Sequence, residues 1–232
     1  MSHSSSFISR LLLAIPFECV ICKKWPSASS EGLTGVCRRC VSKHAKAPRF
    51  AVPHGLGDCL AAVDFDAPWS ALIARYKFAP EPGLARLFAG LMLRDERIRA
   101  LIASADIVIP LPLSPERLEE RGFNQAFELA KYVAKDKLAV HALIKTRDTV
   151  PQRTLNRESR QKNIANAFAL QPNTGMACKG KHVLLIDDVT TTGATLVAAA
   201  EPIYRAGAGK VSAVVIARTP LNAAPQPHPS ER

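Results

Sequence analysis

Long hydrophobic runs are missing from this chain. Its purest aliphatic stretches, such as Leu11–Ile15 and Val183–Ile186, fall far short of the ~20 apolar residues a bilayer-spanning helix needs. Aromatic residues are scarce at 6%, which leaves few side chains for the stacking platforms of single-strand binders. Acidic residues are outnumbered: 20 Asp and Glu face 31 Lys and Arg, for a formal net charge of +11. No internal repeat is visible. With 47% hydrophobic and 22% charged residues over 232 positions, collagen, coiled coil and full disorder are excluded, and the length allows one large domain or two unequal ones. Arg10 ahead of Leu11–Ile15 mimics a secretory leader, but this apolar run is shorter than the roughly 7–15 residues of a signal core, and Glu18 spoils a small-residue cleavage site. A cytoplasmic location is the expectation. A chain this basic meets polyanions such as nucleic acid, phosphorylated small molecules or anionic membrane. A well-solvated basic surface explains the charge equally well.

What the chain does have is a paired cysteine pattern. Of six cysteines, four fall as Cys19-Val20-Ile21-Cys22 and Cys37-Arg38-Arg39-Cys40, with 14 residues between the pairs. Each CxxC turn presents two thiolates on one side of a tight loop, and two such turns supply the four-sulfur shell of a structural zinc. Gly32 and Gly35 permit the reversal between them. Redox CxxC motifs or unrelated buried pairs are the alternatives. A closed four-cysteine site holds loops together and does no chemistry. Cys59 and Cys178 stand alone and read as small buried hydrophobes.

Periodicity then lays out an α/β chain. A short helix is expected over Phe7–Ile15, ended by Pro16, then the cysteine module and a basic linker over 41–55. Leu60–Phe65 reads as a strand and Trp69–Phe78 as a helix. Leu84–Leu93 and Ile98–Ile102 have amphipathic helical spacing. Ile107–Ile109, Val183–Ile186 and Val211–Ile216 are short aliphatic runs suited to buried strands. Asn124–Val133 and Leu196–Tyr204 read as helices, the latter with Pro202 set to kink or shorten it. Leu143–Lys145 is a further short strand, and residues 147–163 are polar and basic. Strands alternating with helices predict a parallel sheet. The expected division is a metal-held module with its linker over 1–50, an α/β domain over 51–218 and a Pro-rich disordered tail over 219–232.

The most informative segment is Val183 to Thr195, where an aliphatic strand runs into Asp187 and Asp188 and then into Val189-Thr190-Thr191-Thr192-Gly193-Ala194-Thr195. Ligands of open α/β sheets bind beyond the carboxyl ends of strands. This turn offers amides, hydroxyls and the positive end of the next helix to a phosphate, and Gly193 lets the backbone come close. The two acids suit sugar hydroxyls, or a hydrated Mg²⁺ shared with a ligand. An ordinary helix N-cap would need one hydroxyl, not this ensemble.

This segment resembles the 5-phosphoribosyl-1-pyrophosphate (PRPP) motif of type I phosphoribosyltransferases. Thr190 departs from the aliphatic residue or Tyr that many members carry. Pro110-Leu111-Pro112, Arg121-Gly122-Phe123-Asn124-Gln125-Ala126, and Pro151-Gln152, Leu155, Arg160, Asn163 and Phe168 follow the order seen in the ComF family (ComFC and GntX-like proteins), as does the leading cysteine module. The resemblance spans residues 19 to about 218. It implies a type I phosphoribosyltransferase-like parallel sheet flanked by helices. Asp187 and Asp188 would hold the ribose hydroxyls, and Thr190 to Thr195 would wrap the 5′-phosphate. Pro110, Leu111 and Arg121 would face the pyrophosphate. Mg²⁺ would come with PRPP. It also implies a role in natural competence, with imported single-stranded DNA and a competence-machinery protein such as a helicase or translocase as partners.

Lys145, Arg147, Arg153, Arg157, Arg160 and Lys162 face only Asp148 and Glu158 in the basic segment. Guanidinium forks match pyrophosphate oxygens, so Arg153 and Arg160 are candidates to neutralise a leaving pyrophosphate; a solvated basic surface is the bland alternative. Three functions follow. The first is a transferase of purine or pyrimidine metabolism or salvage. The second is a competence protein whose knuckle, with Lys23, Lys24, Arg38, Arg39, Lys43 and Lys46, faces DNA. The third is a PRPP-sensing regulator without turnover. Trp69, Tyr76, Phe78, Phe123 and Phe127 are stacking candidates that could equally be core. No acceptor pocket or general base is legible, and His54 and His141 read as surface or structural.

Overall fold

The structure is a computed structural model and describes residues 17–27, 29–30, 33–78, 81–146, 167–172 and 174–220. The expected helix over Phe7–Ile15, Gly32, the basic segment 147–163 with Arg153 and Arg160, and the tail beyond 220 lie outside the described residues.

Strands β1 (Ser29–Ser30) and β2 (Leu33–Cys37) form a small antiparallel ribbon that runs straight into α1 (Arg38–His44). Residues 41–44, read from sequence as linker, are thus the last turn of a helix, because Val41 is buried and holds it to the core. Strand β3 (Cys59–Asp64) follows, then α2 (Trp69–Phe78), α3 (Pro82–Arg94) and α4 (Glu96–Ser104). The chain continues through β4 (Ile107–Pro110), α5 (Pro115–Arg121), α6 (Gln125–Val133) and a 3₁₀ turn at Lys135–Lys137. Strands β5 (Leu143–Lys145) and β6 (Phe168–Leu170) pair antiparallel as a separate ribbon. Helix α7 (Thr174–Cys178), β7 (His182–Thr190), α8 (Ala194–Arg205) and β8 (Lys210–Arg218) complete the described chain.

The main sheet has the order β3-β8-β7-β4, and every neighbouring pair is parallel. Its strands read as unbroken aliphatic runs because helices cover both faces. Alternation assigns the sides: Leu184, Ile186, Val214 and Ile216 join one core with Leu87, Phe88 and Leu129. Val183, Leu185, Ala213 and Val215 join the other with Leu196 and Ile203. Lone cysteines Cys59 and Cys178 are buried hydrophobes, as expected.

Two local outcomes differ from the sequence reading. Strand β7 does not stop at Ile186. It pairs with β8 from His182↔Lys210 through Thr190↔Arg218, so Asp187 and Asp188 sit inside the strand rather than in a loop after it. Pro202 does not shorten α8, which runs to Arg205, with the Ala206 amide still reaching the Pro202 carbonyl at 3.1 Å. The ring forfeits one helical bond and the flanking buried residues, Ala200 and Ile203, keep the helix seated. No described helix is long and apolar enough to cross a membrane.

Candidate functional site

A cleft of about 250 Å³ opens at the carboxyl ends of β4 and β7. Leu111 to Leu113 form one wall and Asp187 to Val189 another; Lys77, Arg117, Arg121 and Lys145 bring cations, and Thr195 closes the α8 side. Asp188 is 8% exposed. Its Oδ1 accepts the Val189 amide at 2.6 Å, and its Oδ2 stands 3.3 Å from the Lys77 ammonium, off the line of a hydrogen bond. That oxygen therefore has a charge partner but no hydrogen bond. The Asp187 Oδ1 accepts the Asp188 amide at 2.8 Å. Burial first, and the neighbouring Asp188 second, push the Asp187 carboxyl up to about 7, against the pull of the Asp188 amide, Lys77 and Arg121.

Beyond Thr190 the chain bends before α8. Thr191 and Thr192 are exposed. Among the described residues, no backbone carbonyl accepts from the amides of Thr191, Thr192 or Gly193. Unspent amides next to a helix start make an anion cradle. Gly193 has φ +80, and a Cβ there would lie 2.3 Å from the Pro53 Cγ. Both the left-handed backbone and the close approach of Pro53 need a residue without a side chain.

The run Arg121 to Gln125 has a local role for almost every member. Helix α5 starts on Pro115, with the Ser114 hydroxyl taking the Arg117 amide, and ends at Gly122 in the left-handed conformation, φ +73. Asn124 caps α6 through the Phe127 amide and also donates to the Leu111 carbonyl at 2.9 Å, which ties this cap to the wall of the cleft. Gln125, 1% exposed, is a hub. It donates to the Lys77 carbonyl at 3.0 Å, accepts from Arg121 at 3.0 Å, and its own carbonyl takes the Tyr76 hydroxyl at 2.8 Å. The Arg121 guanidinium also lies 5.9 Å over the Phe78 ring, and its buried Nε has no partner.

Residues 118–229 match the phosphoribosyl transferase domain family. The DNA utilization protein YhgH of Salmonella typhi is 28% identical over 230 residues, covering 90% of this chain and 100% of that protein. Competence protein F of Haemophilus influenzae is 26% identical over 87% of this chain and 97% of its own length. Competence protein ComFC of Bacillus subtilis is 36% identical over 49% of this chain and 45% of its own. The chain thus carries a match to the phosphoribosyltransferase domain and is similar along most of its length to DNA utilization and competence proteins of the ComF type. Among solved structures, a glutamine PRPP amidotransferase from B. subtilis overlaps 62% of this chain and 30% of its own, at 18% identity and a TM-score of 0.36. That superposition is too loose to bear on function.

The cleft gathers the sequence candidates unevenly. Asp187, Asp188, Val189, Thr195, Leu111 and Arg121 line it. Pro110 ends β4, and Thr190 to Ala194 form the strand end and bend. Lys77 and Arg117 were not legible as site residues: Lys77 lies in the last turn of a helix in sequence, and its carbonyl is held by Gln125 while its side chain enters the cleft. Of the aromatic candidates, Trp69 and Tyr76 are core, Phe123 and Phe127 are half-buried, and Phe78 is exposed. His54 and His141 are both exposed.

Cys19, Cys22, Cys37 and Cys40 bring their sulfurs within 4.8 Å of one another, with Cys22 and Cys37 at 3.8 Å. Zinc bonded to sulfur at ~2.3 Å in a tetrahedron spaces its sulfurs by roughly 3.8 Å. Burial alone would raise Cys19, but backbone hydrogen bonds from Cys22, Cys37 and Ile21 bring its thiol down to about 6, while burial and the other sulfurs push Cys40 up. Four thiols this close cannot all ionise unless a cation balances them, and the donor set fits a structural zinc. The module is no appendage: Leu33, Val36 and Val41 belong to the core that holds Leu87 and Phe88. Lys23, Lys24, Arg38, Arg39, Lys43 and Lys46 are all exposed.

Among the described residues the four cysteines are the one cluster of three or more potential metal ligands. In the cleft, Asp188 Oδ1 accepts the Val189 amide and its Oδ2 already faces the Lys77 ammonium as an ion pair. A protein-borne Mg²⁺ site does not fit these residues; a Mg²⁺ there would have to travel on the phosphates of a ligand.

Proposed function

We propose that the cleft binds PRPP. Asp187 and Asp188 accept the ribose 2′ and 3′ hydroxyls. The bend from Val189 to Thr195 wraps the 5′-phosphate. Pro110, Leu111 and Arg121 face the pyrophosphate, with Arg153 and Arg160 brought in from the basic segment and Mg²⁺ arriving on the pyrophosphate itself. The observation that carries this reading is the open bend: three amides with no carbonyl partner among the described residues, directly after the half-buried Asp187 and the buried Asp188. If transfer occurs, an acceptor attacks C1 as the C1–O bond breaks, and the cations stabilise the charge gained by the departing pyrophosphate.

Relatives named for DNA utilization and competence support a competence-associated role; we propose that it lies in the cytoplasm, handling imported single strands beside a helicase or translocase. In this reading residues 51–218 hold the phosphosugar and the module over 1–50, with its six exposed cations, faces the DNA.

The test is a calorimetric titration with PRPP and Mg²⁺ together with pyrophosphate detection. The double variant Asp187→Ala, Asp188→Ala is expected to lose binding while retaining its fold. Unchanged affinity in that variant overturns the site. Binding with pyrophosphate release marks a transferase, and binding without release marks a sensor. Single-strand affinity that falls steeply with salt supports the DNA role, and its absence at low salt removes it.

A further inference from the structure

The acid pair of the cleft has a cation of the protein's own. Lys77 reaches Asp188 from a helix 111 positions away in sequence, and it does not arrive by chance of a loose surface chain. Its main chain is clamped, because its carbonyl accepts Gln125 and the preceding Tyr76 donates to the same residue. Its side chain is only 25% exposed, and the Asp188 side chain 12%. Lys77 from α2 is the cation in direct contact with Asp188; the other charged groups of the cleft are Asp187 from the same strand, Arg117 and Arg121 from α5, and Lys145 from β5. Asp188 Oδ2 is otherwise a buried oxygen with no hydrogen bond among the described residues, on a residue that lines the cleft.

A divalent cation bound to Asp188 would have to compete with Lys77 for that oxygen. Mg²⁺ also demands a near-octahedral oxygen shell and sheds water reluctantly. An ammonium needs neither, and with three donors it can face Asp188 and still offer hydrogens to a ring hydroxyl or a phosphate oxygen.

We propose that Lys77 is the built-in counter-cation of the sugar-binding acids, so that the cleft holds the ribose 5-phosphate part of its ligand without a divalent metal. The proposal rests on the PRPP reading above and assigns the metal, where present, to the pyrophosphate alone. Without Lys77, Asp188 becomes a buried carboxylate beside another acid, and it must recruit a proton or a divalent ion to keep its place. Replacing the lysine therefore converts a metal-independent subsite into a metal-dependent one.

The experiment is calorimetry on the full chain with ribose 5-phosphate, which lacks the pyrophosphate, and in parallel with PRPP. Each titration is run in metal-depleted buffer free of chelator, so that the cysteine-bound metal stays, and again with Mg²⁺. The unaltered protein is expected to bind ribose 5-phosphate equally in both buffers. Lys77→Met is expected to lose about tenfold or more in the metal-depleted buffer and to recover with Mg²⁺, while Lys77→Arg binds in both. Thermal melts check that the variants fold, and Lys77→Gln serves by the same criterion if Lys77→Met does not. The proposal is overturned if the uncharged variant binds ribose 5-phosphate undiminished without metal, if Mg²⁺ restores nothing, or if the unaltered protein itself needs Mg²⁺ for this ligand. A protein that binds neither compound in either buffer refutes the PRPP reading itself.

Discussion

The Tyr76 hydroxyl donates to the Gln125 carbonyl at 2.8 Å and so pins the end of one helix to the start of another, 49 residues on. Gln125 returns the grip through its side chain, bonding the Lys77 carbonyl and Arg121. Two cations of the cleft thus owe their position to one buried amide.

That arrangement makes Gln125→Leu more damaging than its burial alone suggests. It strands the Lys77 carbonyl and frees Arg121, at about 1–3 kcal/mol for each buried group left unpaired. Tyr76→Phe removes one bond from the same latch and is expected to cost about 1 kcal/mol. Urea unfolding of both variants checks the order, and PRPP titration should show Gln125→Leu the weaker binder. Equal stability of Gln125→Leu and the unaltered chain would contradict the hub.

Gly193 should tolerate no side chain. Gly193→Ala puts a methyl 2.3 Å from Pro53 Cγ on a backbone with φ +80. The left-handed strain alone costs about 1–2 kcal/mol, and the clash adds to it. Adding Pro53→Ala should remove the nearer clash, with Cγ, and leave the Cβ approach at 2.9 Å and the strain. A double-mutant cycle on the melting temperature is therefore expected to show recovery that is real but incomplete. Additive losses would mean that Pro53 and residue 193 do not meet.

Asp187 gives the fold a pH dependence of definite sign. Its folded-state pKa, up to about 7, lies above the ordinary carboxylate value near 4. Between those values the folded chain keeps a proton that the unfolded chain has released, so stability falls as pH rises from about 4 to 7 and is flat above. Asp187→Asn is expected to remove this slope and to be more stable than the unaltered protein at pH 8, while binding PRPP less well. Denaturant melts at pH 5, 7 and 8 test it; a variant with the same slope would shift the titration to another group.

One zinc per chain is expected by metal analysis, and Cys22→Ser with Cys37→Ser should abolish it. Because Leu33, Val36 and Val41 are part of a shared core, the metal-free variant should melt earlier as a whole rather than show a separate small transition. A full-stability variant without metal would count against a structural role.

The sheet was readable because its strands are covered on both faces and so appear as unbroken aliphatic runs; Val183–Ile186 needs no partner to be recognised. Helix Trp69–Phe78 was readable from the spacing of its apolar residues. Helix α5 was not, since none of its residues is buried and its only signals are Ser114, Pro115 and Gly122. Acids ordinarily end an apolar run, which is why Asp187 and Asp188 read as loop; pairing with β8 carries the strand past them. The cysteine cluster and the phosphate-type bend are contiguous or evenly spaced in the chain, so residue order reveals them. Lys77 against Asp188, and Gln125 beneath both Lys77 and Arg121, depend on chain-distant closeness that periodicity does not encode.

Helix α3 carries the cysteine ribbon on one flank and α6 on another. Oxidising or stripping the sulfurs would therefore withdraw backing from the helix that begins with Gln125. On the proposed reading, thiol status and sugar-phosphate occupancy are linked variables: depriving the cysteines of metal is expected to weaken ligand binding, and a saturating ligand is expected to protect the thiols in return.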